Sequence, residues 1–276
     1  MTEHVAVDDS PSFDVLPPTR PGVPLVVHVP HSATALPADV RAQLLLTDVE
    51  LAEELRAMSD HRTAQLARDV GKHGATRMVN GWSRLAVDPE RFLDPAEEEM
   101  EAVGMGAVYT RTSDGRPLRD LQPEQRADLL DRHFHPYHAA LTDLVGGHVD
   151  RYGRSVIVDL HSYPREALPY ELHKAGPRPE IDIGTDHRQT PTWLRELVVG
   201  VVADAGFGHG ENSPYAGTFV PSRYLGDLRV SSVMLEIRRD TYLDEATARP
   251  HDGEARIRQL VNSLVERLAG ALAGPH

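Results

Sequence analysis

Val156-Ile157-Val158-Asp159-Leu160-His161-Ser162 is an apolar, β-branched run that ends in an acid, a histidine and a serine. Such a run predicts a buried parallel strand whose C-terminal end delivers polar side chains into a crevice. Ligands of open α/β sheets bind beyond those carboxyl ends. Pro24-Leu25-Val26-Val27-His28-Val29-Pro30-His31-Ser32 has the same shape, and Val233-Met234-Leu235-Glu236-Ile237-Arg238 carries an acid inside an apolar strand. Two His-Ser strand ends and one strand glutamate are the parts of a metal-dependent hydrolase site.

Working outward, strands are expected at 24–30, 75–79, 85–87, 155–160 and 232–237. Helices are expected over 36–58 in two pieces, over 60–70, over 123–146 with Pro136 kinking or dividing it, over 193–205 and over 253–272. The alternation predicts a single α/β domain, a mixed or parallel sheet flanked by helices, over 21–276. The polar, proline-bearing stretch 1–20 reads as a flexible N-terminal arm. Two stretches rich in proline and glycine, 88–122 and 163–190, read as site loops rather than linkers.

The composition excludes several classes. With no cysteine among 276 residues, disulfides, thiol nucleophiles and Cys-held zinc are ruled out, so any metal is held by His, Asp and Glu. A formal charge of −13 argues against nucleic acid as partner. No apolar stretch reaches the roughly 20 residues a membrane helix needs. The acidic start lacks a secretory pattern, so a cytoplasmic location is expected.

The strand-end histidines His31 and His161, joined by a carboxylate, suit an open zinc site. Either alone has the alternative of a hydrogen-bonded loop histidine. His28 is a weaker candidate, because three residues along a strand put it on the opposite face from His31. Asp159 suits either orienting a ligand or pairing with an arginine. Glu236 requires a salt bridge or a function, because desolvating a lone acid is costly; near a metal it suits proton transfer. Arg84, Arg91 and Arg238 flank these segments and suit carboxylate binding. His133, His135 and His138 fall on a helix and are assigned to its surface and packing.

The chain resembles the N-formylglutamate amidohydrolase family. The similar segments are Val29-Pro30-His31-Ser32, Met58-Ser59-Asp60-His61-Arg62-Thr63, Ser83-Arg84-Leu85-Ala86-Val87-Asp88-Pro89-Glu90-Arg91-Phe92, Gly104-Met105-Gly106-Ala107-Val108-Tyr109, Asp159-Leu160-His161-Ser162, Asn212-Ser213-Pro214-Tyr215-Ala216-Gly217 and Leu235-Glu236-Ile237-Arg238, in order over about 25–245. That family is similar to zinc carboxypeptidases and succinylglutamate desuccinylases. The resemblance therefore implies a zinc-carboxypeptidase-like (phosphorylase/hydrolase-like) fold. It also implies one zinc ion on His31 and His161, with Glu236 as base. The carboxypeptidase pattern sets its acidic ligand three residues after the first histidine, where this chain has Thr34, so the carboxylate is assigned to Asp60. The Asp-Leu-Asn-Arg pattern of many relatives is replaced here by Asp88-Pro89-Glu90-Arg91.

The resemblance further implies hydrolysis of an N-acyl amino acid, foremost N-formyl-L-glutamate to formate and glutamate, a step of histidine degradation. Arg84 or Arg91 would stabilise the oxyanion or bind a substrate carboxylate, and Asn212, Tyr215 and Arg238 would contact the small-molecule substrate. The rivals are a deacylase or carboxypeptidase-like amidase on another substrate, and a catalytically silent binding protein on the same fold.

Overall fold

The computed structural model describes residues 12–94, 96–172 and 174–273. In chain order the main elements are β1 (Phe13–Leu16), β2 (Leu25–Val29), α1 (Ala38–Gln43), α2 (Asp48–Met58), α3 (Thr63–Leu66), β3 (Thr76–Asn80), α4 (Pro123–Leu129), α5 (His135–Tyr152), β4 (Ser155–Tyr163), β5 (Ile181–Gly184), α6 (Thr192–Asp204), β6 (His209–Glu211), β7 (Val230–Arg238) and α7 (Gly253–Leu272). The strands form one mixed sheet in the order β1-β3-β2-β4-β7-β5-β6. β1 is antiparallel to β3 and β5 is antiparallel to β7; the other pairs are parallel. The expected α/β fold with a mixed sheet between helices is the fold observed.

Side-chain alternation along the strands makes two unlike faces. On one, Leu25, Val27, Val29, Val156, Val158, Leu160, Val233, Leu235 and Ile237 pack against α6 and α7 as a continuous core. On the other, Val26, Ile157 and Val230 pack against Tyr137, Leu141, Val145 and Val149, the one-turn-apart stripe of α5. That apolar pattern stops toward the carboxyl ends of the strands. The next residues on the same face are His28, Asp159, His161, Asp182 and Glu236, all buried. The sheet thus changes from core to polar floor within a single face.

Several expectations need correction. Within the expected arm, Phe13–Leu16 is an edge strand registered on β3, and Phe13 stacks edge-on against Tyr137 at 5.5 Å; residues 1–11 of that arm lie outside the described residues. Leu85-Ala86-Val87 is not a strand. Ser83 caps the segment by accepting from the Leu85 and Ala86 amides, which bends the chain into a buried turn. The stretch 163–190 contains β5, whose Ile181 and Ile183 enter the core. The 60–70 helix shrinks to α3 and a separate 3-10 turn, Val70–His73.

Pro136 does divide the long helix. Between α4 and α5 the turn Leu130–Phe134 widens to π geometry, and Pro136 sits in the first turn of α5, where a missing N–H is tolerated.

The start of α5 also holds a site loop in place. The His138 ring stacks on Phe134 at 3.9 Å, and its Nε2–H donates to the Pro89 carbonyl at 2.7 Å. Burial lowers the His138 pKa to about 4. The unfolded chain therefore binds the extra proton between about pH 6.5 and 4, so this contribution is full above pH 6.5 and is lost as pH falls through that window. The expected size is of order 3 kcal/mol. His138→Gln should flatten the acid side of the stability profile measured by urea unfolding between pH 7 and 4; an unchanged slope would refute the assignment.

Candidate active site

His31 lies just past β2, where Pro30 ends the two-residue alternation. It therefore turns to the same side as His28, not the opposite side expected from strand spacing; Glu90 lies within 3.3 Å of His28 Nδ1 and 3.5 Å of His31 Nδ1. The Pro30 carbonyl is pinned by Asn80 Nδ2 at 3.0 Å. Asp60 follows the end of α2, and its amide donates to the His31 carbonyl at 2.9 Å, which ties the two loops together. His161 comes from β4, whose register sets it beside Glu236 of β7; across β7's other edge, Glu236 faces Asp182 of β5.

These placements bring His31, Asp60 and His161 into one buried group. The two imidazole Nδ1 atoms are 3.3 Å apart, His161 Nδ1 is 3.0 Å from Asp60 Oδ2, and His31 Nδ1 is 3.7 Å from the same oxygen. Ligands of one tetrahedral zinc ion at about 2.0–2.1 Å lie about 3.3 Å from one another. The spacing, the nitrogen–nitrogen approach and the His/His/carboxylate set all fit a divalent metal. Acids also outnumber guanidinium groups around the trio: Asp60, Asp88, Glu90, Asp159 and Glu236 against Arg84, Arg91 and Arg239.

The other nitrogen of His31 is held by a carboxylate that sequence reasoning did not assign. Asp88 accepts from His31 Nε2 at 2.8 Å. It also takes Arg84 Nη2 at 2.7 Å, Arg84 Nε at 3.1 Å and the Tyr109 hydroxyl at 2.6 Å. Burial opposes ionisation of Asp88, yet Arg84 and His31 hold its carboxyl well below the usual range. Burial likewise opposes Asp60, but hydrogen bonds from His161 and His31 hold it ionised. Burial works against a charge on His161, and Glu90 and Asp159 overcome it. The signal for Asp88 was its position four residues after Arg84, in a segment already matched.

Glu236 behaves in the opposite way. Burial, aided by Asp60 and Asp182 and opposed by His161, pushes its pKa up to about 8. Its Oε2 is buried and has no hydrogen-bond partner among the described residues. A buried carboxyl group with a raised pKa and an uncommitted oxygen is poised to exchange a proton.

The remaining expected residues divide. Arg84 spends Nε and Nη2 on Asp88 and Tyr109. Arg91 lies 3.4 Å from Asp88 and 3.7 Å from Glu98, without an aligned hydrogen bond to either. Tyr215 stands edge-on to Tyr163 at 5.7 Å; burial, aided by Tyr170 and Glu236, raises its pKa, and its amide is held by Asp182 at 2.9 Å. Asn212 is turned away from the role expected of it: its exposed side chain bridges the amide and hydroxyl of Thr185, fixing a turn at φ 55°. Arg238 is engaged by Asp240 at 2.6 Å and the Arg178 carbonyl at 2.5 Å. Its neighbour Arg239 points inward to Asp60 Oδ1 at 3.5 Å, Ser162 and the Ala57 carbonyl.

The sequence model of the N-formylglutamate amidohydrolase family matches residues 23–243. The chain is 27% identical to an N-formylglutamate deformylase of Pseudomonas aeruginosa over 91% of this chain and 96% of that protein. It is 29% identical to an N-formylglutamate deformylase of Pseudomonas putida, over 81% of this chain and 83% of that one. The crystal structure of N-formylglutamate amidohydrolase from Ralstonia eutropha JMP134 superposes with a TM-score of 0.84 at 27% identity, covering 95% of this chain and 98% of that one.

Asp88 accepts from the outer nitrogen of His31, so a metal held by the trio would be bound about 10–100-fold more weakly in Asp88→Asn. Competition against a chromophoric chelator measures this in the folded protein, and urea unfolding separates the cost of leaving Arg84 without its acid. Wild-type metal affinity would show that Asp88 serves Arg84 alone.

Proposed function

The chain belongs to the N-formylglutamate amidohydrolase family, and on that premise we propose that it hydrolyses N-formyl-L-glutamate to formate and L-glutamate with one bound zinc ion. The observation that carries this reading is the convergence of His31, His161 and Asp60 beside the uncommitted carboxyl of Glu236. The deformylase names of the two Pseudomonas relatives support the choice of a formyl amide.

In this reading His31, His161 and Asp60 hold the metal, which when bound would polarise the formyl oxygen and acidify the attacking water. Glu236 accepts the proton that the water gives up as its oxygen bonds to the formyl carbon. It then delivers that proton to the nitrogen as the C–N bond breaks. Arg84 keeps Nη1 out of its hydrogen bonds to Asp88 and Tyr109, and we assign that donor to the oxyanion. Arg91 is assigned to a substrate carboxylate, and Tyr215 to the wall beside Glu236. Arg239, 3.5 Å from Asp60 Oδ1, is assigned to positioning that ligand.

Formate release from N-formyl-L-glutamate should exceed acyl release from N-acetyl- and N-succinyl-glutamate. It should vanish on chelation and return with zinc. Absence of formate release from the metal-loaded enzyme would overturn the proposal. Glu236→Gln should keep one metal equivalent and lower kcat by about 10²–10⁴; near-normal turnover would remove Glu236 from the role of base.

A further inference from the structure

Behind His161, around its second nitrogen, lies another group: the buried His28 and Asp159 with the half-buried Glu90. His28 is fully buried and stacks on Phe219 at 5.4 Å. Its Nδ1 is 2.8 Å from Asp159 Oδ1 and 3.3 Å from Glu90 Oε1. Its Nε2 is 2.6 Å from the Tyr137 hydroxyl. The same Asp159 oxygen lies 3.1 Å from His161 Nε2, and Glu90 Oε2 lies 3.2 Å from that nitrogen.

One feature separates this group from the His31–Asp60–His161 trio: its shortest contact, 2.8 Å from His28 Nδ1 to Asp159 Oδ1, is a close hydrogen bond, whereas the trio's contacts of 3.0, 3.3 and 3.7 Å bracket the roughly 3.3 Å between two ligands of one zinc ion. A proton, not a cation, fills the gap between His28 and Asp159.

We propose that Tyr137, His28 and Asp159 form a buried positioning chain, with Glu90 as its second arm, that holds His161 in its Nε2–H form and so turns the Nδ1 lone pair to the metal. Two carboxylate oxygens within 3.2 Å of Nε2 tolerate an N–H there and repel a lone pair. Nε2 makes no aligned hydrogen bond to either oxygen, and both carboxylates face it at close range. Asp159 is fixed in turn by the Nδ1–H of His28, and His28 by Tyr137 and Phe219. The pattern extends the carboxylate–histidine pairing of Asp88 with His31 by two further side chains. None of the four is a catalytic residue; they act through His161. The inference rests on the zinc reading above.

The test compares zinc affinity, by chelator competition, in the wild type, His28→Ala, His28→Asn and Tyr137→Phe. His28→Ala should bind zinc about 10–100-fold more weakly. His28→Asn, whose amide N–H stands near the position of Nδ1–H, should recover most of that loss, and Tyr137→Phe should show a smaller loss. A packing role alone would lower urea stability in all three and leave the zinc affinity of the folded protein unchanged. Long-range ¹H–¹⁵N spectra of the zinc-loaded wild type should show the proton of His161 on Nε2; a proton on Nδ1 would overturn the proposal. If His28→Ala does not fold, Tyr137→Phe and the spectra decide. Wild-type affinity in every variant overturns the chain and leaves the zinc reading intact. Two zinc equivalents in the wild type, falling to one in His28→Ala, also overturn it, by making the cluster a second cation site. A wild type that takes up no stoichiometric zinc overturns the zinc reading and the chain with it.

Discussion

The parallel pairing of β4 with β7 sets His161 directly beside Glu236, and most of the site depends on that register. A slip by one residue would turn every polar side chain of the floor into the core on the other face. The slip is resisted by that core. Val156, Val158 and Leu160 of β4 and Val233, Leu235 and Ile237 of β7 are all buried against α6 and α7. The same alternation that excludes water from one face therefore presents an imidazole and a carboxyl together on the other. Packing and chemistry are two readings of a single register.

Electrostatics complete what packing begins. A crevice holding several buried carboxyl groups would be unstable if each were alone. Three of them are partnered: Asp60 has the two histidines and Arg239, Asp88 has His31, Arg84 and Tyr109, and Asp159 has His28. Glu236 has no hydrogen-bond partner for its buried Oε2 among the described residues, and burial with the nearby Asp60 and Asp182 raises its pKa to about 8. Environment alone thus separates two kinds of acid: those kept charged to hold structure, and one left able to take up a proton.

The strands that decide the fold were legible because their apolar runs are long and end abruptly; β2, β4, β7 and α7 fall within a few residues of where the pattern placed them. That His31, Asp60, His161 and Glu236 converge was legible for the same reason or through motif order. What sequence could not reveal depends on contacts between distant segments. β1 is short and exposed, and only its pairing with β3 makes it a strand. Asn212 and Arg238 sit in matching segments, but a turn at Thr185 and the carboxylate of Asp240 claim their side chains. Arg239 emerges instead, because β7 ends at Arg238 and the chain turns into the 3-10 segment Arg239–Thr241. Asp88 and Glu90 lay in a loop with no periodicity to interpret. Asp88 takes Tyr109 and His31 from 21 and 57 positions away, and Glu90 reaches His161 on another strand.

The amide of Asp60 donates to the carbonyl of His31, so two loops that each supply a side chain to the same centre are stitched at the backbone. Local opening of either loop has to break that bond and pull the centre apart at once. Opening at His31 and opening at Asp60 are therefore coupled through that bond. An occupant bound across the stitch would slow amide exchange on both sides of it, and exposure of this stretch to a protease would measure how firmly the centre is held.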